Sequence, residues 1–83
     1  MKKIIEALQE IKGTNVNIYT EHKLFGKQHI EMQFEPETEI GLGFHCRDQV
    51  IYIDHEDIVD YCIEDKGIII NGKMMKITII KRV

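Results

Sequence analysis

Apolar positions near the start of the chain recur with the period of a helix. Ile4, Ile5, Leu8 and Ile11 fall at i, i+1, i+4 and i+7, and charged or polar residues fill most of the intervening positions. Gly13 follows at the place where a left-handed residue commonly ends a helix. The pattern predicts a short amphipathic helix over residues 1–12.

From residue 14 onward the apolar period shortens to two, which is typical of half-buried strands. The alternating positions of the first two strands are Val16, Ile18, Thr20, Ile30, Met32 and Phe34. Residues 23–27 are predicted as the hairpin turn between them, and residues 36–39 as a polar loop. Further strands are predicted over residues 40–46 and 50–53.

The strand over residues 40–46 has one face without large side chains. Gly41 and Gly43 share that face with His45, whereas Leu42 and Phe44 lie on the other. A glycine inside a strand often marks a bend or the close approach of another segment. We expect either a bend in this strand or another segment lying close against it.

Residues 54–66 fit two structures. As a helix they would begin at Asp54 and end before Gly67. As a tight turn plus strand they would turn at residues 55–57 and then alternate, with Val59, Tyr61 and Ile63 on one face. The concentration of β-forming residues favours the strand.

The chain ends in an isoleucine-rich hairpin over residues 67–83. Asn71-Gly72 stands between two apolar runs, and this dipeptide is a strong signal for a two-residue hairpin turn. A long apolar strand with an unpaired edge attracts other strands. We therefore expect the edge of this final strand to mediate self-association.

These elements predict a single α+β domain, mainly β, over residues 1–83. The helix precedes residues 14–66, which form most of a five- to seven-stranded antiparallel sheet or a small barrel, and residues 67–83 add the hairpin. So few residues favour a closed or nearly closed small barrel over a thick two-sheet sandwich, because closure removes exposed strand edges.

The order of elements over residues 3–63 resembles that of Sm-like proteins. The resemblance rests on the helix ending at Gly13, the strands that follow it, and the run Val50-Ile51-Tyr52-Ile53-Asp54-His55. Tyr52 and His55 are similar to a Tyr-Lys-His element of that family, although Ile53 stands at the lysine position. The resemblance implies a bent five-stranded barrel of the SH3 type that forms rings by edge-strand pairing. RNA binding is not carried over, because the chain is acidic.

Charge is segregated along the sequence. The chain has a formal net charge of -3, but residues 13–65 carry -9 and residues 66–83 carry +5. The acidic segment would repel a phosphate backbone, so nucleic acid is not an expected partner. The basic end is expected to neutralise the acidic segment across a sheet.

No apolar run reaches the length of a membrane span, and the first residues lack the apolar core of a signal peptide. Two cysteines are too few for a disulfide framework, so free thiols and a cytoplasmic location are expected. No membrane partner and no cofactor are predicted.

Four histidines and two cysteines raise a metal hypothesis, with His45, Cys46, His55 and Cys62 as candidate ligands. Their spacing lacks the paired form of common zinc sites, so His45, His55 and Cys62 are kept only as a runner-up set. His45 and Cys46 point to opposite faces of a strand, and Cys46 is expected in the core. Acidic neighbours are expected to raise the pKa of Cys62, which disfavours a catalytic thiolate.

The sequence therefore predicts a small non-enzymatic binding or assembly module, homo-oligomeric, that acts through protein-protein contacts. The candidate interaction residues are Phe25, Tyr61 and Ile80. Phe25, at the tip of a predicted turn, is either exposed to a partner or folded back over the core. A first alternative is a binder of a small anionic ligand or nucleotide through Lys73, Lys76 and Arg82. A second alternative is a metal-binding protein.

Overall fold

A computed structural model of the chain describes residues 2–82, and the predicted helix begins that range. Helix α1 spans Lys2–Glu10 and buries Ile4, Ala7 and Leu8. Gly13, with φ of +83°, follows the last turn in the left-handed conformation expected there. The helix was predicted to begin at residue 1 and the terminal hairpin to end at residue 83, and both of these residues lie outside the described range.

Eight strands follow within residues 2–82, and they form two antiparallel sheets. Their bounds are β1 Asn15–His22, β2 Gly26–Gln33, β3 Pro36–Glu37, β4 Gly41–Cys46, β5 Gln49–Asp54, β6 Ile58–Ile63, β7 Gly67–Gly72 and β8 Met75–Lys81. The five-stranded sheet has the order β2-β1-β8-β7-β6, and the three-stranded sheet has the order β3-β4-β5. The predicted class, α+β and mainly β, is confirmed, but the strands form two sheets and not a closed barrel.

The core lies where the two sheets and the helix meet. Each sheet turns one alternate set of side chains inward, and these form one cluster with those of α1. Phe34, which follows β2, and Phe44 of β4 lie in this cluster with ring centroids 6.4 Å apart. The helix thus contributes the apolar surface that so short a chain needs to complete its core.

The ambiguous segment after residue 54 is a turn followed by a strand, as favoured. A single 3-10 turn spans His55–Asp57, and β6 begins at Ile58. The polar loop predicted at residues 36–39 differs slightly, because Pro36–Glu37 pair with Phe44 and Gly43 as β3.

The glycines of β4 allow the close approach that was expected. A Cβ atom added at Gly43 would lie 2.5 Å from the Tyr52 Cα, and one added at Gly41 would lie 2.9 Å from Tyr52 Cδ2. Strand β5, which pairs with β4 in the same sheet, therefore approaches the β4 backbone at these glycines more closely than a side chain would allow.

The terminal hairpin forms, but its turn was predicted two residues too early. Asn71 and Gly72 belong to β7, and residues 73–74 make the turn. Asn71 Nδ2 donates a hydrogen bond of 2.6 Å to Asp60 Oδ1 on β6, which anchors it in the sheet. A Cβ atom at Gly72 would lie 2.8 Å from Ile53 Cγ2, so this glycine serves packing between the sheets.

The predicted free edge of the last strand is wrong. Strand β8 pairs with β1 from Lys81 to Met75 on one side and with β7 on the other. Both of its edges are therefore occupied within one subunit. Among the described residues, β2 and β6 are the outer strands of this sheet.

None of the helices within residues 2–82 combines the length and apolar character needed to cross a membrane.

Candidate functional site

Two hairpin turns lie side by side at one end of the five-stranded sheet. Because β8 pairs with β1, His22 faces Met75, and the turn that follows His22 is a neighbour of the turn that precedes Met75. The Lys23 N–H donates a hydrogen bond of 2.9 Å to the Met74 carbonyl oxygen. This bond joins the β1–β2 turn to the β7–β8 turn.

Three large apolar side chains are exposed on these turns: Leu24 is 73% exposed, Phe25 81% and Met74 44%. Lys23 directly precedes Leu24 and Lys73 directly precedes Met74, and both lysines are exposed as well. We call Leu24, Phe25, Met74 and these two lysines the tip patch. Neighbouring apolar side chains left in water are characteristic of interaction sites.

The conformation of the β1–β2 turn is fixed by His22. Its Nδ1 atom accepts hydrogen bonds from the Leu24 N–H at 3.0 Å and from the Phe25 N–H at 3.3 Å. Its ring also lies 4.6 Å, centroid to centroid, from the ring of Phe25. These two bonds tie the backbone of the turn to the side chain of the last residue of β1.

A cavity of about 390 Å³ adjoins the tip patch. Lys23, Lys27 and Lys76 line it together with one acidic residue, Glu21. Lys27 Nζ lies 3.7 Å from Glu21 Oε1, and Lys76 stands opposite Glu21 in the pairing of β1 with β8. We call this the lysine cavity, in which three positive groups face one negative group.

The predicted anion-binding residues do not converge. Lys76 lines the lysine cavity and Lys73 lies in the neighbouring turn, but Arg82 follows the opposite end of β8. Six residues of extended strand separate Lys76 from Arg82 by about 20 Å. A site for one small anion that uses all three residues is therefore not formed.

The predicted interaction residues lie on different surfaces. Phe25 is exposed in the tip patch. Ile80 is 38% exposed on the outer face of the five-stranded sheet. Tyr61 pairs with the buried Ile70, is half-buried and packs against the core. Only Phe25 presents most of its side chain to solvent.

The runner-up metal ligands lie in separate settings. His45 Nε2 forms a 3.1 Å contact with Glu37 Oε2 across β3 and β4, His55 begins the 3-10 turn, and Cys62 lies on β6. Within residues 2–82, no group of three or more histidine, cysteine or acidic side chains is placed to hold a metal ion. Cys46 packs partly against the core, as expected.

The acidic surroundings of Cys62 act on its thiol as predicted. Partial desolvation, a 3.6 Å hydrogen bond from Sγ to Glu64 Oε1, and the charges of Glu64 and Asp60 raise the pKa of Cys62. The side chain is exposed on the outer face of the five-stranded sheet, opposite Ile69. A raised pKa keeps the thiol protonated and a poor nucleophile near neutral pH.

The sequence interpretation missed Leu24, Met74, Lys23 and Lys27 as members of a site. Leu24 lies beside Phe25 in the predicted turn, so its exposure had a local signal. The exposure of Met74 had no local signal, because the turn was predicted at Asn71-Gly72. The meeting of the two turns depends on the pairing of β1 with β8, which local patterns do not encode.

Comparisons with protein-family models, with curated proteins and with solved structures each found no match to this chain. The resemblance to Sm-like proteins accordingly stays a hypothesis.

We expect Cys62 to react slowly with iodoacetamide near neutral pH, and a Glu64→Gln substitution to accelerate the reaction severalfold. The substitution removes the carboxylate that stabilises the protonated thiol, so the pKa of Cys62 falls and the thiolate fraction rises. The rate is measured by mass spectrometry in a Cys46→Ser background. Glu56→Gln, a substitution of an exposed acid in the 3-10 turn, serves as the control. Equal rates for all these proteins would contradict the assignment.

Proposed function

We propose that this chain is a small non-enzymatic binding module that contacts a protein partner through the tip patch. The observation that carries the proposal is the exposure of Leu24 and Phe25 on a turn whose conformation is already fixed. Burial of a leucine or phenylalanine side chain at an interface contributes about 1.5–3 kcal/mol each. Because His22 and the bond to Met74 hold the turn, little conformational entropy is lost on binding.

The charges beside the tip patch define the kind of partner. Lys23 and Lys73 lie within the patch, and Lys27 and Lys76 line the adjoining cavity. Positive groups around an apolar centre favour a partner that combines apolar side chains with acidic ones. The proposed ligand is therefore a protein segment that presents apolar side chains among aspartates and glutamates.

The placement of the potentially reactive side chains supports a non-enzymatic role. His45 contacts Glu37, Cys62 contacts Glu64, and the raised pKa of Cys62 suppresses its thiolate. The free thiols of Cys46 and Cys62 also support a proposed cytoplasmic location.

Selection of a peptide library displayed on phage tests the tip patch directly. We expect peptides that combine apolar and acidic residues to be enriched on the wild-type protein, and to lose at least about tenfold in affinity for Phe25→Ser. The loss follows from removal of the largest exposed apolar side chain. Affinities of synthetic peptides are measured by fluorescence polarisation.

Ile40→Ser is the matched control, because Ile40 is 58% exposed and lies before β4, outside the tip patch. Its affinity for the selected peptides should equal that of the wild type. If no peptide is enriched, or if the enriched peptides bind Phe25→Ser as tightly as the wild type, the proposal is wrong.

The lysine cavity supports a second candidate function, the binding of a small anionic ligand or nucleotide. Three lysines converge on a cavity of about 390 Å³, and one carboxylate offsets only part of their charge. Lysine ammonium groups bind phosphate as point charges. This candidate retains Lys76 and replaces Lys73 and Arg82 with Lys23 and Lys27.

Inorganic phosphate and ATP, each added at constant ionic strength, should raise the thermal midpoint of the wild-type protein, because a ligand that binds only the folded state stabilises it. A Lys23→Ala, Lys76→Ala double variant should lose this shift. Arg82→Ala, at the far end of β8, should keep it. No shift with either ligand would remove the second candidate.

A further inference from the structure

Strand β2 presents a long outer edge. Its eight residues pair with β1 on one side, and no strand of residues 2–82 pairs with its other side. A cleft of about 450 Å³ lies between β2 and residues of the β4–β5 hairpin, and within residues 2–82 no backbone hydrogen bond crosses it. Edges of this kind are templates for pairing with another chain unless they are shortened, bent or covered.

The charges of β2 are self-complementary. Lys27, His29 and Glu31 alternate along the outer face of the sheet, as their pairing with Glu21, Tyr19 and Asn17 shows. In an antiparallel pair of two β2 strands centred on His29, Lys27 of each copy stands opposite Glu31 of the other. Opposite charges directly across an antiparallel pair stabilise the pairing.

The side chains at the centre of this arrangement also match. The ring of His29 stacks on that of Tyr19 with centroids 4.5 Å apart and planes within 4°. This separation is close to the spacing of about 4.8 Å between neighbouring strands. A second His29 on the facing strand would continue the stacked row at the same spacing.

We infer that β2 pairs antiparallel with β2 of a second copy of this chain, centred on His29. The pairing joins two five-stranded sheets into one continuous sheet across a two-fold axis. It satisfies the outer backbone groups of both β2 strands and forms two Lys27–Glu31 contacts. The inference is independent of the tip patch, whose residues lie outside β2.

Light scattering after size exclusion, from micromolar to millimolar protein, tests the pairing. The wild-type mass should rise from 9.7 kDa towards twice that value. Lys27→Glu and Glu31→Lys should each weaken dimerisation about tenfold or more, because each replaces two attractive contacts with two repulsive ones.

Mixing separates the proposed register from general effects of charge. An equimolar mixture of Lys27→Glu and Glu31→Lys proteins should form a heterodimer, because every facing pair is again of opposite sign. The double variant Lys27→Glu, Glu31→Lys should dimerise like the wild type. Glu35→Lys, an equal change of net charge just beyond β2, should leave dimerisation unchanged.

A wild-type protein that stays monomeric at millimolar concentration would overturn the inference. A dimer that Lys27→Glu and Glu31→Lys leave intact would overturn it too, since another surface would then be responsible. If β2 pairs with an extended peptide of different sequence and not with a second β2, the wild-type protein stays monomeric, and that result overturns the inference. The Glu31→Lys variant keeps the Lys27–Glu21 contact, so its folding, checked by circular dichroism, is expected to match the wild type.

Discussion

The placement of β8 between β1 and β7 is the constraint on which the rest of the structure depends. It joins the last strand to the first through seven residue pairs, from Val16 with Lys81 to His22 with Met75. It also places Ile77 and Ile79 fully inside the core. Because the partners are far apart in sequence, this contact closes a long loop whose entropy must be offset by the packing that it creates.

The same pairing assembles the surface features to which we assign functions. It brings the β1–β2 turn beside the β7–β8 turn, and it sets Lys76 across from Glu21. It also excludes β8 from edge pairing and leaves β2 at the border of the sheet. The expected neutralisation of the acidic segment by the basic end across the sheet is not formed, because the uncharged strand β7 lies between β8 and β6. Within this sheet, Lys76 of β8 instead stands opposite Glu21 of β1.

Local sequence patterns predicted most of the elements. The helix, the alternating strands and the terminal hairpin follow from periodicity and residue type. The strand after Asp54 was favoured over a helix only by its β-forming residues, and β3 was predicted as part of a loop. Asn71-Gly72 was misplaced as the turn because two tertiary contacts, with Asp60 and with Ile53, hold these residues in the sheet. The order of the strands could not be predicted from the sequence, since uniformly apolar runs such as Ile68-Ile69-Ile70 do not specify which strand pairs with each edge. The exposure of Phe25 was therefore left open, and the contribution of Met74 was not foreseen.

Amide hydrogen exchange along β8 tests the central placement most directly. In an inner strand, successive N–H groups point alternately to the two neighbours, so all are hydrogen-bonded. We predict slow exchange at the consecutive residues Ile77, Thr78 and Ile79, with rates near that of global unfolding. Protection of only every second residue would show that β8 has one open edge, and would contradict the account.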